Sequence, residues 1–215
     1  MKNKETYRLY AITDENCLAD ITLYDAVVKA LKGGITCLQY REKSIGSDIN
    51  GISKEKIDNI AEIMELCRTY NVPFIINDNI PLAKFLDADG VHIGQDDMRI
   101  SDAREILGND KIIGVTAKTV SQAKEAYEGG ADYLGSGAIF GTSTKFDAKK
   151  MDMETLKSIC ESVPIPVVAI GGITKNNAHE LIGTGIAGFA VVNGIFGEKD
   201  IENTCKFLKN LSEEL

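Results

Sequence analysis

The stretch EGGADYLGSG, residues 128–137, brings the end of a helix and the start of a strand together. Its paired glycines follow an amphipathic segment, which is typical of a helix that ends in a glycine cap. The short run YLGSG follows at once and has the character of a buried strand. The same junction recurs as KGGIT at 32–36 and as IGTGIAG at 182–188. The recurrence indicates a fold built from repeated βα units.

Short apolar runs, many of them rich in Val, Ile and Tyr, alternate along the chain with segments of helical periodicity. The candidate strands are YRLYAIT (7–13), CLQYR (37–41), FIIN (74–77), GVHI (90–93), IIGVT (112–116), YLGSG (133–137), VVAI (167–170) and GFAVV (188–192). Apolar strands separated by helices indicate a parallel sheet covered on both faces. Eight such units in about 200 residues predict an α/β fold, the closed (β/α)8 TIM barrel.

We expect a single TIM-barrel domain over residues 1–215, because no linker or low-complexity stretch divides the chain. An open, doubly wound sheet is the alternative architecture. It usually has fewer strands and a glycine-rich turn after the first strand, where this chain has ITDENC. The barrel is therefore favoured.

Helix starts are marked by residues that commonly cap helices, namely Thr22, Ser53, Thr119 and Asp200. Thr119 together with Gln122 has the pattern of a capping box. The stretch VNGIF after the eighth strand predicts a short extra helix.

Composition excludes several classes of protein. The net charge of −8 gives no overall support for nucleic-acid binding. No run approaches the roughly 20 apolar residues of a membrane helix, and the start MKNKETYRLY lacks a signal core. The cysteines never occur as CxxC, which favours buried, reduced thiols in a soluble cytoplasmic protein that binds neither membranes nor nucleic acids. The sequence does not decide between a monomer and a homo-oligomer.

The second predicted strand ends in QYREK, and this ending is unusually polar. Alternation places Gln39, Arg41 and Lys43 on one face and Tyr40 and Glu42 on the other. In (β/α)8 barrels the active site lies at the C-terminal strand ends and in the loops that follow. The charged face of this strand is therefore expected to line the active site.

A second polar loop, GTSTK at 141–145, follows the sixth strand. Its hydroxyls and Lys145 form, with Arg41 and Lys43, the mixture of groups that phosphate and pyrophosphate prefer. Either loop alone would more often be a solvated surface loop. Because both open onto the same face of one barrel, they predict an anion site.

Glycines follow the seventh and eighth strands, in GGIT at 171–174 and VNG at 192–194. Backbone N–H groups in these two loops form a phosphate site in many barrels of this type. Plain turn glycines are the alternative. Their occurrence directly after both strands favours phosphate binding.

Carboxylates follow the third and fourth strands, at Asp78 and Asp97. Two hard oxygen donors beside a polyphosphate pocket suit Mg²⁺, which commonly takes one or two carboxylates and completes its shell with phosphate oxygens and water. Spacing alone does not decide between Asp97 and Asp96, and N-capping of the following helix is the alternative role. His92 lies in an apolar strand, so a structural role in the core is expected; His179 lies on a helix surface.

These features describe a barrel with two separate anion sites, one Mg²⁺ and no evident nucleophile–base pair. Such a site fits a reaction in which pyrophosphate leaves one substrate and a second, phosphorylated substrate attacks. Catalysis then consists of positioning the reactants and stabilising the charge of the leaving group.

The series QYREK, IND, DGVHIGQDD, GTSTKFDA, PVVAIGGI and GFAVVNGIF closely resembles the thiamine phosphate synthase family, in the right order over nearly the whole chain. The resemblance implies a TIM barrel that joins 4-amino-2-methyl-5-hydroxymethylpyrimidine pyrophosphate to 4-methyl-5-(2-hydroxyethyl)thiazole phosphate. In that family pyrophosphate departs first, and the thiazole nitrogen captures the pyrimidinylmethyl cation.

The resemblance also implies a role for each matching residue. Gln39, Arg41, Lys43 and Asn77 would hold the pyrimidine pyrophosphate, with Lys145 as a further pyrophosphate ligand; Arg41, Lys43 and Lys145 would be the catalytic cations. Asp78 and Asp97 would bind Mg²⁺, which decides against Asp96. Thr142 and Thr144 would contact the thiazole, Gly172, Val192 and Asn193 would bind its phosphate, and Thr116 would be a further substrate contact.

The chain departs from the family pattern at three positions. Tyr40 replaces a usual Leu and faces away from the charged set, so little effect is expected. Lys118, in GVTAK, stands where the family more often has His, whereas Thr116 keeps the hydroxyl. Asn193 replaces a usual Ser, which keeps the backbone donors and changes the side chain.

Two other functions compete with the synthase. One is a barrel similar to the thiazole tautomerases, which tend to lack parts of the pyrophosphate and Mg²⁺ sites. The other is a non-catalytic barrel that binds a phosphometabolite and needs no metal pair. The presence of Arg41, Lys43, Asp78, Asp97 and Lys145 together favours the synthase.

Overall fold

The computed structural model of the chain describes residues 3–42, 45, 49–95, 97–141 and 150–215. Eight parallel strands follow one another in chain order and close into a barrel, since β1 pairs with both β2 and β8. The strands are β1 (Leu9–Ile12), β2 (Cys37–Tyr40), β3 (Phe74–Asn77), β4 (Gly90–Ile93), β5 (Ile112–Thr116), β6 (Tyr133–Gly137), β7 (Val167–Ile170) and β8 (Gly188–Val191). The predicted (β/α)8 barrel is confirmed.

Helices cover the outside of the barrel. In the described residues they are α1 (Leu23–Lys32), α2 (Lys54–Thr69), α3 (Ile80–Leu86), α4 (Ile100–Leu107), α5 (Val120–Glu128), α6 (Met153–Ser162), α7 (Asn193–Phe196) and α8 (Ile201–Ser212). Short 3-10 helices occur at Lys4–Tyr7, Glu15–Cys17, Ile49–Gly51 and Ala178–Leu181. The last of these takes the place of an α-helix between β7 and β8. Among all the residues that the structure describes, no helix has the length and apolar character needed to cross a membrane.

The predicted strand bounds agree with the structure for β3 to β7 and differ at the ends of the other strands. The first predicted strand was too long, because Tyr7 belongs to a 3-10 helix and β1 starts at Leu9. β2 ends at Tyr40 and β8 at Val191, each one residue before its predicted end. The residues that follow these two strand ends, Arg41 and Val192, belong to the loops that form the site.

The predicted helix caps are present. The side chains of Thr22, Ser53, Thr119 and Asp200 each accept a hydrogen bond from the backbone N–H three residues later, at 3.1–3.2 Å. The capping box differs in one detail, because Gln122 Oε1 accepts from the N–H of Lys118 at 2.8 Å rather than from that of Thr119. VNGIF forms the predicted short helix, α7.

The glycine pair of the opening stretch makes the turn from α5 towards β6. Gly130 has φ +93°, a conformation that other residues rarely adopt. A Cβ atom on Gly129 would lie 2.3 Å from Cγ2 of Ile100, so a larger residue would push α4 away. Conformation and packing therefore both require glycine at this junction.

Two apolar clusters make up the core. The larger one lies between the strands and the helices and includes Leu38 and Tyr40. The smaller one fills the barrel interior around Tyr7, Tyr10 and Tyr133, all of which are nearly or fully buried. Consecutive residues of β2 alternate between the two clusters, which leaves Gln39 on the inner side.

The cysteines follow the expected burial only in part. Cys37, Cys67 and Cys205 are buried, whereas Cys17 and Cys160 are half-buried, and no disulfide joins any of them in the described residues. Burial raises the pKa of the Cys67 thiol to about 12, with a contribution from Asp89. Burial likewise raises the pKa of Cys205 to about 12. Both thiols are therefore protonated at neutral pH.

Candidate active site

A cavity of about 450 Å³ opens at the C-terminal end of the barrel. A cavity of this volume is in the range that holds small-molecule ligands. Every strand contributes at least one residue to its lining, among them Tyr10, Gln39, Asn77, His92, Thr116, Gly135, Ile170 and Ala190. The barrel therefore places the predicted strand-end residues around a single space.

The predicted site residues fall into three groups. Those that line the cavity are Gln39, Arg41, Asn77, Thr116, Gly172, Val192 and Asn193. Asp78 and Asp97 are exposed at the neighbouring ends of β3 and β4. Lys43, Thr142, Thr144 and Lys145 lie outside the described residues, as does Asp96. The roles assigned to this last group stay predictions.

Arg41 is held by a carboxylate that the sequence analysis missed. Its Nη1 atom lies 3.2 Å from Oδ2 of Asp14, and the Asp14 side chain is only 6% exposed. The other carboxylate oxygen of Asp14 accepts hydrogen bonds from the backbone N–H and the side-chain amide of Asn16, at 3.1 and 2.8 Å. Because both oxygens of Asp14 are engaged, the carboxylate gives Arg41 a fixed partner.

The loop after β1 also holds the end of β2 through Thr13. The Thr13 hydroxyl accepts from the N–H of Arg41 at 2.8 Å and can donate to its carbonyl oxygen at 3.2 Å. The backbone N–H of Thr13 donates to the carbonyl oxygen of Gln39 at 2.9 Å. Thr13 and Asp14 together therefore position both polar residues of this strand end.

The outward face of the same segment carries a second network. The Tyr40 hydroxyl donates to Oε2 of Glu42 at 2.8 Å. Lys56 on α2 lies 2.5 Å from that Glu42 oxygen and 3.0 Å from Glu15. Burial and the Glu42 carboxylate raise the pKa of Tyr40, so its hydroxyl keeps the proton that it donates. Tyr40 thus ties the chain after β2 to the helical layer.

Asp78 has an unusual backbone conformation. Its φ of +58° lies in the left-handed region, which aspartate tolerates better than most residues. Its N–H donates to the carbonyl oxygen of His92 at 2.8 Å, and Oδ2 accepts from the Asn77 amide at 2.5 Å. These contacts fix the turn that carries the carboxylate at the end of β3.

Asp97 does not cap the helix that follows it. Its Oδ2 atom accepts from the N–H of Gly94 at 2.7 Å and closes a turn after β4, while Arg99 occupies the N-cap position of α4. The capping alternative is therefore wrong for Asp97.

No group of three or more His, Cys, Asp or Glu side chains in the described residues could hold a metal ion. Two exposed carboxylates at neighbouring strand ends nevertheless fit Mg²⁺, since substrate phosphate and water usually supply its remaining ligands.

The loop after β7 is shaped by glycine. Gly171 and Gly172 have φ of +104° and +67°, and a Cβ on Gly172 would lie 2.2 Å from the carbonyl oxygen of Gly141. The side chain of Asn177 closes this loop, since it donates to the Gly172 carbonyl at 2.9 Å and accepts from the N–H of Thr174 at 2.8 Å. The backbone here can approach a ligand without a side chain in between.

The loop after β8 completes this side of the cavity. A Cβ on Gly194 would lie 2.2 Å from the carbonyl oxygen of Ile173, so the two loops pack too closely for a larger residue. Asn193 begins α7, and the first N–H groups of a helix have no acceptor within it. The N–H groups of Ile195 and Phe196 donate to the Val192 carbonyl at 3.1 and 3.0 Å, so the predicted phosphate site would rely on the N–H groups of Asn193 and Gly194.

Polar side chains beneath the cavity form a continuous hydrogen-bonded chain. The Gln39 amide nitrogen donates to the Tyr10 hydroxyl at 2.8 Å, and that hydroxyl lies 2.7 Å from the hydroxyl of Tyr133. Tyr133 lies 2.9 Å from Nδ1 of His92, whose Nε2 lies 3.0 Å from Oγ1 of Thr116. His92 is thus a half-buried residue of the cavity wall rather than a fully buried core residue, and its predicted structural role stays a prediction.

Both tyrosines of this chain are held protonated. Burial raises the pKa of Tyr10 and of Tyr133 well above the usual value, with further contributions from Cys37 and from the other tyrosines. Each hydroxyl therefore has one proton to donate and oxygen lone pairs to accept with. The period-two alternation of β1 and β6 points both residues inward, and this signal could have identified them.

The fold and the cavity define a (β/α)8 barrel with polar groups suited to phosphorylated small molecules. The sequence model of a family described as thiamine monophosphate synthase matches residues 9–195. The chain therefore belongs to the thiamine monophosphate synthase family, and it is an enzyme of the transferase class.

Individual relatives agree with this assignment along their whole length. A thiamine-phosphate synthase of Ruminiclostridium cellulolyticum is 47% identical over 97% of this chain and 96% of its own. One from Clostridium acetobutylicum is 44% identical over 97% and 95%. The structure of thiamine phosphate pyrophosphorylase from Pyrococcus furiosus superposes with a TM-score of 0.86 at 37% identity and covers 98% of each chain.

Proposed function

We propose that this enzyme transfers the 4-amino-2-methyl-5-pyrimidinylmethyl group from its pyrophosphate to 4-methyl-5-(2-hydroxyethyl)thiazole phosphate, in a Mg²⁺-dependent reaction. The products are thiamine phosphate and pyrophosphate. The observation that carries the proposal is a single cavity that is lined both by Arg41 after β2 and by glycine backbone after β7 and β8. The names of the full-length relatives supply the class of product.

We assign the pyrophosphate of the first substrate to the side of the cavity that carries Gln39, Arg41 and Asn77. A guanidinium suits phosphate oxygens because its N–H groups match their geometry and its charge is permanent. Asp14 holds only one end of the Arg41 guanidinium, at Nη1, which is compatible with a second, anionic partner. Lys43 and Lys145 are predicted to add positive charge to the same group.

We assign the phosphate of the thiazole substrate to the part of the cavity formed by Gly172, Val192 and Asn193, after β7 and β8. The glycines leave the backbone N–H groups accessible, and phosphate binding at these loops is frequent in barrels of this type. Thr142 and Thr144 are predicted to contact the thiazole itself. The two anions would thus be held apart, with the reacting atoms between them.

The proposed step breaks the bond between the pyrimidinylmethyl carbon and a pyrophosphate oxygen and forms a bond from that carbon to the thiazole nitrogen. The leaving oxygen takes the electron pair of the broken bond, so negative charge grows on pyrophosphate. Arg41, with Lys43 and Lys145, would stabilise that charge, and the cavity would align the two substrates. This demand explains why no nucleophile–base pair is needed.

Asp78 and Asp97 are the residues that would hold Mg²⁺ at the rim. When bound there, the ion would neutralise part of the charge on the pyrophosphate. Their two carboxylates, at neighbouring strand ends, supply the hard oxygen donors that this ion prefers.

The test of the reaction is to incubate the protein with both substrates and Mg²⁺ and to measure pyrophosphate and thiamine phosphate together. We expect the two products in equal amounts, loss of both with EDTA, and recovery when Mg²⁺ is restored. Binding of the thiazole phosphate without any coupling would instead favour the tautomerase-like or ligand-binding barrel. Product formation that is unchanged by EDTA would contradict the role of Mg²⁺.

Two variants test the predicted roles of individual residues. Lys145→Ala should abolish most coupling with the fold intact, whereas Lys157→Ala on the outer helix α6 should behave as wild type. Asp78→Asn should raise the Mg²⁺ concentration needed for half-maximal rate. A wild-type rate in Lys145→Ala, or an unchanged metal titration in Asp78→Asn, would remove the role assigned to that residue.

A further inference from the structure

We propose that the hydrogen-bonded chain Gln39–Tyr10–Tyr133–His92–Thr116 has one fixed direction, which places the proton of the neutral His92 imidazole on Nε2 and makes Thr116 a hydrogen-bond donor to the cavity. Tyr10, Tyr133 and His92 are then positioning residues that set the chemical character of a binding residue. The direction of the chain is a property of the protein alone. Its consequence for the pyrimidine substrate rests on the proposed function.

The direction follows from counting protons from the Gln39 end. The amide nitrogen of Gln39 has only protons to offer, so the Tyr10 oxygen accepts at 2.8 Å. The single proton of Tyr10 then points to its other close neighbour, the Tyr133 oxygen at 2.7 Å. Tyr133 has now accepted one hydrogen bond, and its own proton points to Nδ1 of His92 at 2.9 Å.

The imidazole transmits this direction to Thr116. A ring nitrogen that accepts a hydrogen bond carries no proton, so the proton of neutral His92 lies on Nε2. That N–H donates to Oγ1 of Thr116 at 3.0 Å. The hydroxyl proton of Thr116 is then left for a different acceptor, and its side chain lines the cavity.

Burial makes the direction uniform along the chain. Tyr10 and Tyr133 are 1% and 0% exposed, and Gln39 is 3% exposed, so water does not readily replace a missing partner. A reversal at one link would set two donors or two acceptors against each other and leave a buried polar atom without a partner, which is unfavourable. The opposite direction requires every link to reverse, including a turn of the Gln39 amide and a proton on Nδ1 of His92.

The Gln39 end and the Thr116 end of the hydrogen-bonded chain are therefore coupled. In the proposed direction Thr116 offers a proton, which suits an acceptor such as a ring nitrogen of a heteroaromatic ligand. In the opposite direction Thr116 would donate its proton to Nε2 of His92, would present only lone pairs to the cavity and would suit an amino group instead. The tautomer of His92 thus reports which atoms of a ligand the Thr116 end can recognise.

Tyr7 provides a matched control for the tyrosines of the chain. It is fully buried and stacks on Tyr133 with a ring-centroid distance of 4.5 Å. Its hydroxyl has no hydrogen-bond partner among the residues that the structure describes. Tyr7→Phe and Tyr133→Phe therefore remove the same atom from neighbouring rings, but only Tyr133→Phe breaks the chain.

The direct test is ¹⁵N NMR of the histidine side chains in the ligand-free protein, at about pH 8, above the ordinary histidine pKa of about 6.5. The chain has two histidines, so a His179→Gln variant assigns the signals of His92. We expect a protonated Nε2 and an unprotonated Nδ1, unchanged in Tyr7→Phe and shifted towards a mixture of tautomers in Tyr133→Phe. A proton on Nδ1 in the wild type, or equal spectra of the two variants, would overturn the proposal.

Kinetics supply the second readout. Tyr133→Phe should raise the KM for the pyrimidine substrate about 10-fold and leave the KM for the thiazole phosphate unchanged, whereas Tyr7→Phe should change neither by more than about 2-fold. Tyr10→Phe replaces Tyr133→Phe if that variant does not fold. Equal KM changes in the chain variant and in Tyr7→Phe would refute the positioning role. A wild-type protein without coupling activity would contradict the proposed function but leave the tautomer measurement valid.

Discussion

The two sides of the cavity are built by different means. The side-chain wall, formed by Gln39, Arg41 and Asn77, presents polar and charged groups from the ends of β2 and β3. The backbone wall, formed by Gly171, Gly172 and Gly194, presents main chain from the loops after β7 and β8. The first depends on neighbours that hold long side chains in place, and the second depends on the absence of side chains.

This difference predicts two kinds of sensitivity to mutation. The side-chain wall should lose function when a charge or its supporting partner is removed. The backbone wall should lose function when an atom is added. Variants of each kind, with controls elsewhere in the barrel, can therefore break or sharpen the distinction between the two walls.

The largest effect is expected for Arg41→Ala. Charge-assisted hydrogen bonds contribute about 1.5–3 kcal/mol each, so losing the guanidinium should lower kcat/KM for the pyrimidine pyrophosphate at least about 100-fold. Initial rates at varied pyrimidine substrate measure the effect. Arg68→Ala, whose side chain pairs with Glu65 on the outer surface of α2, is the control and should keep the wild-type rate. Equal rates for the two variants would remove Arg41 from the site.

Gly172→Ala tests the backbone wall. The added Cβ would meet the Gly141 carbonyl at 2.2 Å, and φ of +67° strains any other residue. We expect the KM for thiazole phosphate to rise about 10-fold or more, as for loss of a charge-assisted contact. Gly108→Ala shares the strained conformation, with φ of +83°, but its Cβ would meet no atom within 4 Å.

Thermal unfolding separates strain from binding in these two glycine variants. Both should lose about 1 kcal/mol or more of the free energy of unfolding, because alanine disfavours a positive φ. Only Gly172→Ala should also change the KM. A raised KM in Gly108→Ala would mean that the effect arises from strain rather than from the site.

Asp14→Asn is expected to have an intermediate effect. Asparagine can still accept from the Asn16 N–H but lacks the charge that pairs with Arg41. Because Asp14 is buried and the pair is partly desolvated, we expect kcat/KM for the pyrimidine pyrophosphate to fall about 10-fold. The same change in an Arg41→Ala background should have little effect, since Asp14 acts through Arg41. Additive losses would contradict that route.

Tyr40→Phe should produce the smallest change. It removes the hydroxyl that donates to Glu42, on the face turned away from the cavity. A loss of about 1 kcal/mol in the free energy of unfolding is expected, with a rate change below about 3-fold. Denaturant unfolding and initial rates measure both quantities. A rate change as large as that of Asp14→Asn would show that the outer network also controls the side-chain wall.

Much of the fold could be predicted from the sequence because local patterns encode it. The strands β3 to β7 are short, mainly apolar runs that each follow a proline or a charged residue, and their ends agree with the structure. The first strand was predicted too long because Tyr7 continues its apolar pattern. Only the barrel interior, where Tyr7 stacks on Tyr133, reveals that the chain turns there.

The site could be predicted only where residues act through their own position in a strand or loop. Gln39, Arg41 and Gly172 are recognisable because each stands at the end of a predicted strand. Asp14 was missed because it acts on a residue 27 positions away, and local spacing does not report such a contact. His92 was expected in the core because its neighbours are apolar, although alternation turns its side chain towards the cavity.

The most direct test of the two-wall account is one matrix of initial rates in which both substrates are varied for wild type, Arg41→Ala and Gly172→Ala. The account predicts that, of the two KM values, Arg41→Ala raises the one for the pyrimidine pyrophosphate, together with a lower kcat, and that Gly172→Ala raises the one for the thiazole phosphate. If both variants raise the same KM, or if each raises both equally, the two walls do not hold different substrates.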